Sequence, residues 1–329
     1  MFNGAALKVP KRVCKRMTYQ TTLSGPALCA GVGLHTGERA RLAFKPAEAN
    51  TGIVFVRTDV SSAERVIIAD GRHVTTTQLG TTLANEDGVS VSTVEHLVAT
   101  CAGVGLDNVI VEIDGPEVPI MDGSSTLYCQ LLMQAGLRQL PALRRRIRIL
   151  KPVEVRDGSK YARLVPSEVA GGPMEMRIRI DFPSAAIGEQ VCRFTLSPGA
   201  FSESLAFART FGFANDVEKL QAMGLARGGS MENAIVLDGD NILNPEGLRA
   251  DDEFVRHKML DAVGDLHLAG AFIEGIFEAD QPGHAINNRL VRALFDNRDA
   301  WEWTTDRPAS QVRAAAARVS SGPVARAQI

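Results

Sequence analysis

No two cysteines in the chain stand at Cys-x-x-Cys spacing, and the five present, Cys14, Cys29, Cys101, Cys129 and Cys192, are odd in number and widely scattered. That pattern offers neither a disulfide framework nor a thiolate metal cluster, and it fits a reducing compartment in which the thiols act as buried apolar fillers. Nor does any apolar run approach the roughly 20 residues needed to cross a bilayer, so no transmembrane segment is expected. The basic residues Lys8, Lys11, Arg12, Lys15 and Arg16 are not followed by an uninterrupted apolar stretch and a small-residue cleavage site. No secretory signal is evident, and a cytoplasmic location is expected. Net charge is nearly absent too: 36 basic against 38 acidic side chains leave -2, which gives no support to a nucleic-acid partner. The glycine-rich Gly31-Val32-Gly33-Leu34-His35-Thr36-Gly37 lacks both the Walker Lys-Ser/Thr and the full dinucleotide spacing, so it is not a phosphate loop.

What is present is ordinary globular material. The 329 residues are 45% hydrophobic and 22% charged, enough for one large domain or two. Alternation at 40–44 and 52–57 predicts strands in the first half, followed by a helix over 92–104, a strand over 108–113 and a helix over 126–135; residues 136–141 break the pattern. The second half repeats the order: strands at 146–155, 161–165, 174–182 and 191–196, a helix over 251–268, a strand near 272–277 and a helix from about 285 to 295. Strand runs followed by helices predict an α+β fold of two similar domains, each a β-sheet with helices packed on it. The basic run Arg144-Arg145-Arg146-Ile147-Arg148 sits at the linker and reads as a solvated strand edge.

Two distant fragments carry the chemistry. Thr93-Val94-Glu95-His96-Leu97 supplies an imidazole with a carboxylate beside it, and His257 and Asp261 stand at i and i+4, where side chains share a helix face. Three ligands of the His and Asp/Glu kind with one open position are the inventory of a hydrolytic zinc site. Taken alone, a His on an amphipathic helix is more often a hydrogen-bonded structural residue, and a His-Asp helix pair can have little consequence. Glu95 is the natural base for a zinc-bound water, although Ser92 and Glu95 also fit a Ser-x-x-Glu capping box, a role that could be its only one. His284 would then be the general acid or the cation opposing an oxyanion, with Asp265 fixing its tautomer. Thr210 makes sense as an oxyanion donor only if the fold brings it to the metal. His35 and His73 read as structural or rim residues.

Six segments in order resemble the motifs of the UDP-3-O-acyl-N-acetylglucosamine deacetylases: Gly31 to Gly37, Ser92 to Leu97, Pro119-Ile120-Met121-Asp122-Gly123-Ser124, Arg209-Thr210-Phe211-Gly212-Phe213, Arg256 to Asp265, and Gly283-His284-Ala285-Ile286-Asn287-Asn288. The resemblance covers about residues 19 to 300. It implies a zinc enzyme of the committed step of lipid A synthesis in Gram-negative bacteria, with a UDP-linked acylated amino sugar as substrate. It puts the Zn2+ ligands on His96, His257 and Asp261, the base on Glu95, the acid or oxyanion-stabilising His on His284, its orienting carboxylate on Asp265, and the carbonyl-polarising Thr on Thr210. Lys258 and Phe211 fall at substrate-binding positions. The family fold it implies is two α+β domains packed helix layer to helix layer with the site between.

The expected division is an N-terminal extension over 1–18, a first domain over 19–141, a second over 142–304 with an acyl-chain insert at about 212–242, and a frayed tail over 305–329. A monomer is expected. Two positions depart from the family pattern: Gln281 stands where many members have a basic residue, and Thr82 where many have a Cys. A zinc amidase on another N-acyl substrate keeps the metal site without the acyl passage; a zinc-stabilised scaffold would need a closed site with Cys, which the sequence does not offer.

Overall fold

The computed structural model describes residues 18–61, 64–169 and 171–305. Apart from Thr18 and Thr305, the expected N-terminal extension and C-terminal tail lie outside the described residues.

Strict alternation builds the two main sheets. In Arg39–Pro46, Leu42 and Phe44 point inward while Arg41 and Lys45 point out; in Glu175–Asp181, Met176, Ile178 and Ile180 do the same against Arg177 and Arg179. The first sheet has the order Ala27–Val32, Arg39–Pro46, Val109–Ile113, Ile53–Arg57, Val66–Ile68. The second runs Val153–Asp157, Lys160–Val165, Ile276–Asp280, Glu175–Asp181, Glu189–Thr195. In each, one neighbouring pair is parallel, the central strand against the strand that is third of its sheet in chain order, and the other pairs are antiparallel. The doubling expected from the helix-strand-helix order therefore extends to strand order and sense.

Among the described residues six α-helices accompany the sheets: α1 (Glu95–Val104), α2 (Thr126–Ala135), α3 (Pro198–Ser204), α4 (Ala214–Ala222), α5 (Glu253–His267) and α6 (His284–Asp296). Every residue of α1 is buried, as a helix covered on all sides must be. Its main partner is α5, so a helix of the first half lies against a helix of the second. The approach depends on Gly264, where a β-carbon would stand 2.9 Å from the Glu95 carbonyl carbon and 3.1 Å from its Cα.

Four expectations are corrected. Residues 137–143 form a strand instead of a break, antiparallel to Tyr19–Leu23. The single strand expected over 146–155 is two, Arg145–Ile149 and Val153–Asp157, and the one expected over 272–277 divides at Gly275 into Phe272–Glu274 and Ile276–Asp280, because its two pieces pair in different sheets. The basic run is not a solvated edge. Arg145–Ile149 is the middle strand between Phe272–Glu274 and Trp301–Thr305. Arg144 and Arg146 are buried, and Arg144 donates to Asp107 at 2.6 Å and to the Gly105 carbonyl at 2.8 Å while lying over the Phe272 ring. A guanidinium can be buried when its donors and its flat face are both used.

The region expected as an insert is a compact β-α-β unit: Phe211–Phe213, α4, and Ile235–Asp238 parallel to the first strand, with Asn241–Ile242 closing a hairpin. Among the described residues no helix is long and apolar enough to cross a membrane.

Candidate active site and metal centre

Helix α1 starts later than its capping-box pattern predicts, and the difference frees Glu95 for the cavity. Val94 is the N-cap residue and no side chain caps the helix; Ser92 Oγ donates to the Pro116 carbonyl at 3.1 Å instead. Thr93 holds a left-handed φ of 56°, a costly conformation for a β-branched residue, with its hydroxyl donating to Glu117 Oε1 at 2.8 Å. Glu117 is buried and also accepts from the His35 N–H and from both the N–H and the hydroxyl of Thr36, which ties the 33–37 turn to the helix start. Glu95 is thereby released from capping. Its Oε2 accepts the Thr81 N–H at 2.9 Å, and the carboxylate faces the cavity.

His96, His257 and Asp261 offer ligand atoms all within 4.8 Å of one another, and none is more than 4% exposed. The His257 Nδ1–H donates to the Ala208 carbonyl at 3.2 Å, so the Nε2 lone pair faces Asp261 Oδ1 at 3.4 Å; His96 Nε2 faces the same oxygen at 3.7 Å. Asp261 Oδ1 is buried without a hydrogen-bond partner. Burial pushes the His257 imidazole down to about 3 and lowers His96 as well, so both rings are neutral near pH 7. Burial also opposes the Asp261 charge, but the cationic Lys258 and His284 outweigh it and hold the carboxyl well below the usual range; Lys258 Nζ stands 3.0 Å from Oδ2. Neutral imidazoles and an ionised carboxylate, turned on one point with an oxygen left unsatisfied, fit a divalent cation with nitrogen and oxygen ligands.

Beside this triad the structure places the remaining residues of the sequence reading. Burial, reinforced by Asp261 and Asp265 and opposed by His284, raises the Glu95 carboxyl to about 7. His284, the first residue of α6, points Nε2 at Glu95 Oε1 at 3.7 Å, and its Nδ1–H donates to Asp265 Oδ2 at 2.9 Å. Burial works against its charge, yet Asp265 and Glu95 raise it to about 10. Thr210, Phe211, Lys258 and Gln281 line the same cavity, of about 340 Å³. Backbone bonds fix Thr210, whose N–H donates to Gly123 at 2.8 Å and whose carbonyl accepts from Ile235. The Lys258 ammonium lies 5.4 Å from the Phe211 ring centre. A second cavity of about 340 Å³, lined by Phe182, Phe213, Val217, Leu220 and Val236, shares Leu34, Leu79, Thr210, Phe211 and Lys258 with the first.

Sequence reasoning missed Thr81, Thr93, Glu117 and Asn287, polar residues whose partners lie far along the chain. Of the two departures, Gln281 lines the cavity that holds the triad, with a φ of 51°, whereas Thr82 belongs to the Thr82–Ala84 strand. It is Gly80 that approaches Glu95: a β-carbon there would stand 3.1 Å from its Oε1. His35 spans the rim, donating to the Leu79 carbonyl at 3.2 Å, and His73 bonds the Ile68 carbonyl, both as expected.

Residues 20–296 match the family described as UDP-3-O-acyl N-acetylglycosamine deacetylase. Over 287 residues the chain is 55% identical to the UDP-3-O-acyl-N-acetylglucosamine deacetylase of Phenylobacterium zucineum (strain HLK1), covering 87% of this chain and 97% of that one. Proteins of the same description from Shewanella frigidimarina (strain NCIMB 400) and Vibrio vulnificus (strain YJ016) are each 48% identical, over 87% and 88% of this chain and 92% and 94% of theirs.

Proposed function

The chain belongs to the UDP-3-O-acyl N-acetylglycosamine deacetylase family, and on that footing we propose that it hydrolyses the N-acetyl group of a UDP-linked 3-O-acyl glucosamine, releasing acetate and the free amine in lipid A biosynthesis. The observation that carries this is the unsatisfied Asp261 oxygen between two neutral imidazoles, with a Glu carboxyl at about 7 beside it. Three protein ligands leave a position open, as hydrolysis requires and a closed scaffold does not. Zinc, when bound there, would polarise the acetyl carbonyl and acidify the attacking water.

The chain's own residues divide the remaining work. Glu95 takes a proton from the water as its oxygen bonds to the carbonyl carbon, and Oε1 is the oxygen free to do so. The Thr210 hydroxyl donates to the oxygen that becomes negative. As the C–N bond breaks, the departing nitrogen receives a proton from His284, which Asp265 keeps oriented through Nδ1. Lys258 and Phe211 lie where the sugar must enter, and the apolar cavity beside them takes the 3-O-acyl chain. We take the protein to act as a cytoplasmic monomer with zinc as its native metal.

Glu95→Ala tests this directly. Zinc content should stay at the wild-type level while acetate release falls by about 100-fold or more. Unchanged amide hydrolysis would remove Glu95 as the base.

A further inference from the structure

Thr81 has all three of its polar groups committed beside the His96, His257 and Asp261 triad. Only 1% of it is exposed. Its N–H donates to Glu95 Oε2 at 2.9 Å, its carbonyl accepts from the Val94 N–H at the start of α1, and its hydroxyl donates to Asp265 Oδ1 at 2.7 Å. The last bond joins residues 184 apart in sequence and crosses from one half of the molecule to the other. Asp265 has Oδ2 filled by His284 and by Asn287 Nδ2, the latter at 2.9 Å, so Thr81 is the donor that fixes its other oxygen. On Glu95 the same residue occupies Oε2 and leaves Oε1 facing His284.

We propose that Thr81 is a positioning residue that locks the Glu95 carboxylate and the Asp265–His284 pair into one rigid frame, an inference that rests on the base and acid roles given above to Glu95 and His284. Its N–H decides which carboxylate oxygen works. Its hydroxyl stops Asp265 from rotating, and so holds the His284 ring at the distance from Glu95 that a shared substrate atom needs. The anchor is the adjoining strand Thr82–Ala84, paired on both sides with Val74–Thr76 and Ser90–Val91, which keeps the Thr81 backbone from following either partner.

Thr81→Val keeps the shape and the N–H but removes the hydroxyl; Thr81→Ser restores it. In the zinc-loaded full chain, Thr81→Val should lower kcat by about 10- to 100-fold with KM within about twofold and zinc content unchanged, and Thr81→Ser should recover kcat to within about threefold. Proton NMR reads the frame without turnover: the low-field His284 Nδ1–H resonance should persist in wild type and Thr81→Ser and broaden by exchange in Thr81→Val. A wild-type kcat in Thr81→Val, a loss that tracks lost zinc, or an unaltered His284 resonance would overturn the proposal. Should Thr81→Val fail to fold, Thr81→Ala, which leaves room for a water at Oδ1, must still show a lowered kcat, and a wild-type value would overturn it equally. Glu95→Gln separates the two levels: if it stays active the base assignment is wrong, and if it collapses while Thr81→Val does not, only the Thr81 frame fails.

Discussion

Glu95 and His284 are both shifted upward in one buried cluster: burial, reinforced by Asp261 and Asp265, raises the Glu95 carboxyl, while Asp265 and Glu95 raise the His284 imidazolium against burial. With Glu95 as the proposed base and His284 as the proposed acid, the base gains its ionised form as pH rises through about 7, and the acid is lost as pH rises through about 10. The expected kcat/KM profile is therefore bell-shaped, with the acidic limb at or below pH ~7 because a bound cation favours the carboxylate further, and the basic limb near pH ~10 or at the ionisation of the metal-bound water. Measurement across that range checks it: activity still rising above pH ~8 would show that a different group acts as base. The individual limbs belong to a coupled pair, so the whole curve is the observable. Each of these side chains was legible in the sequence from residue type and spacing. The Thr81, Glu117 and Asn287 contacts were not, since a Thr or Asn carries no signal until folding shows what lies across from it.

Helix α1 shows how tertiary contacts override a local pattern. Ser92 and Glu95 match a capping box, but a Glu can cap or serve the cavity, and the Thr81 N–H together with Glu117 stabilises the second arrangement despite the left-handed Thr93. Periodicity, by contrast, placed α2 at 126–135 where it lies, with Tyr128, Cys129 and Leu132 on its buried face. The Arg144–Arg148 run misled because a charged strand looks the same whether its edges face water or two neighbouring strands. Packing of α1 on α5 yields a prediction at this scale. Gly264→Ala would drive a methyl into the Glu95 backbone, lowering stability by about 1–3 kcal/mol in urea denaturation and reducing kcat as α1 is displaced. Wild-type values for both would mean that α1 and α5 are free to separate.

At the scale of the molecule, the two sheets share one strand order, and each half contributes to the candidate metal triad: His96 from the first, His257 and Asp261 from the second. We propose that the division between the halves falls near Arg144, after the strand that pairs back to Tyr19–Leu23 and before the one that joins Trp301–Thr305. The β-α-β unit adds the apolar cavity beside this junction. Filling it with Val217→Trp should raise KM roughly tenfold, about 1.4 kcal/mol, for long 3-O-acyl chains while leaving short-chain substrates near wild type. Equal effects on all chain lengths would place the acyl group elsewhere.

By itself the sequence determined the α+β class, the doubled order of elements, the ligand types with their i, i+4 spacing, and the family, because periodicity and side-chain chemistry are local properties. The tertiary structure alone decided which Glu95 oxygen is free, why that residue does not cap its helix, and what holds the His284 pair in place. Those depend on contacts such as Thr81 to Asp265 and Glu95 to Gly264, in which the partner is chosen by the packing of two helices from opposite halves and not by neighbours along the chain.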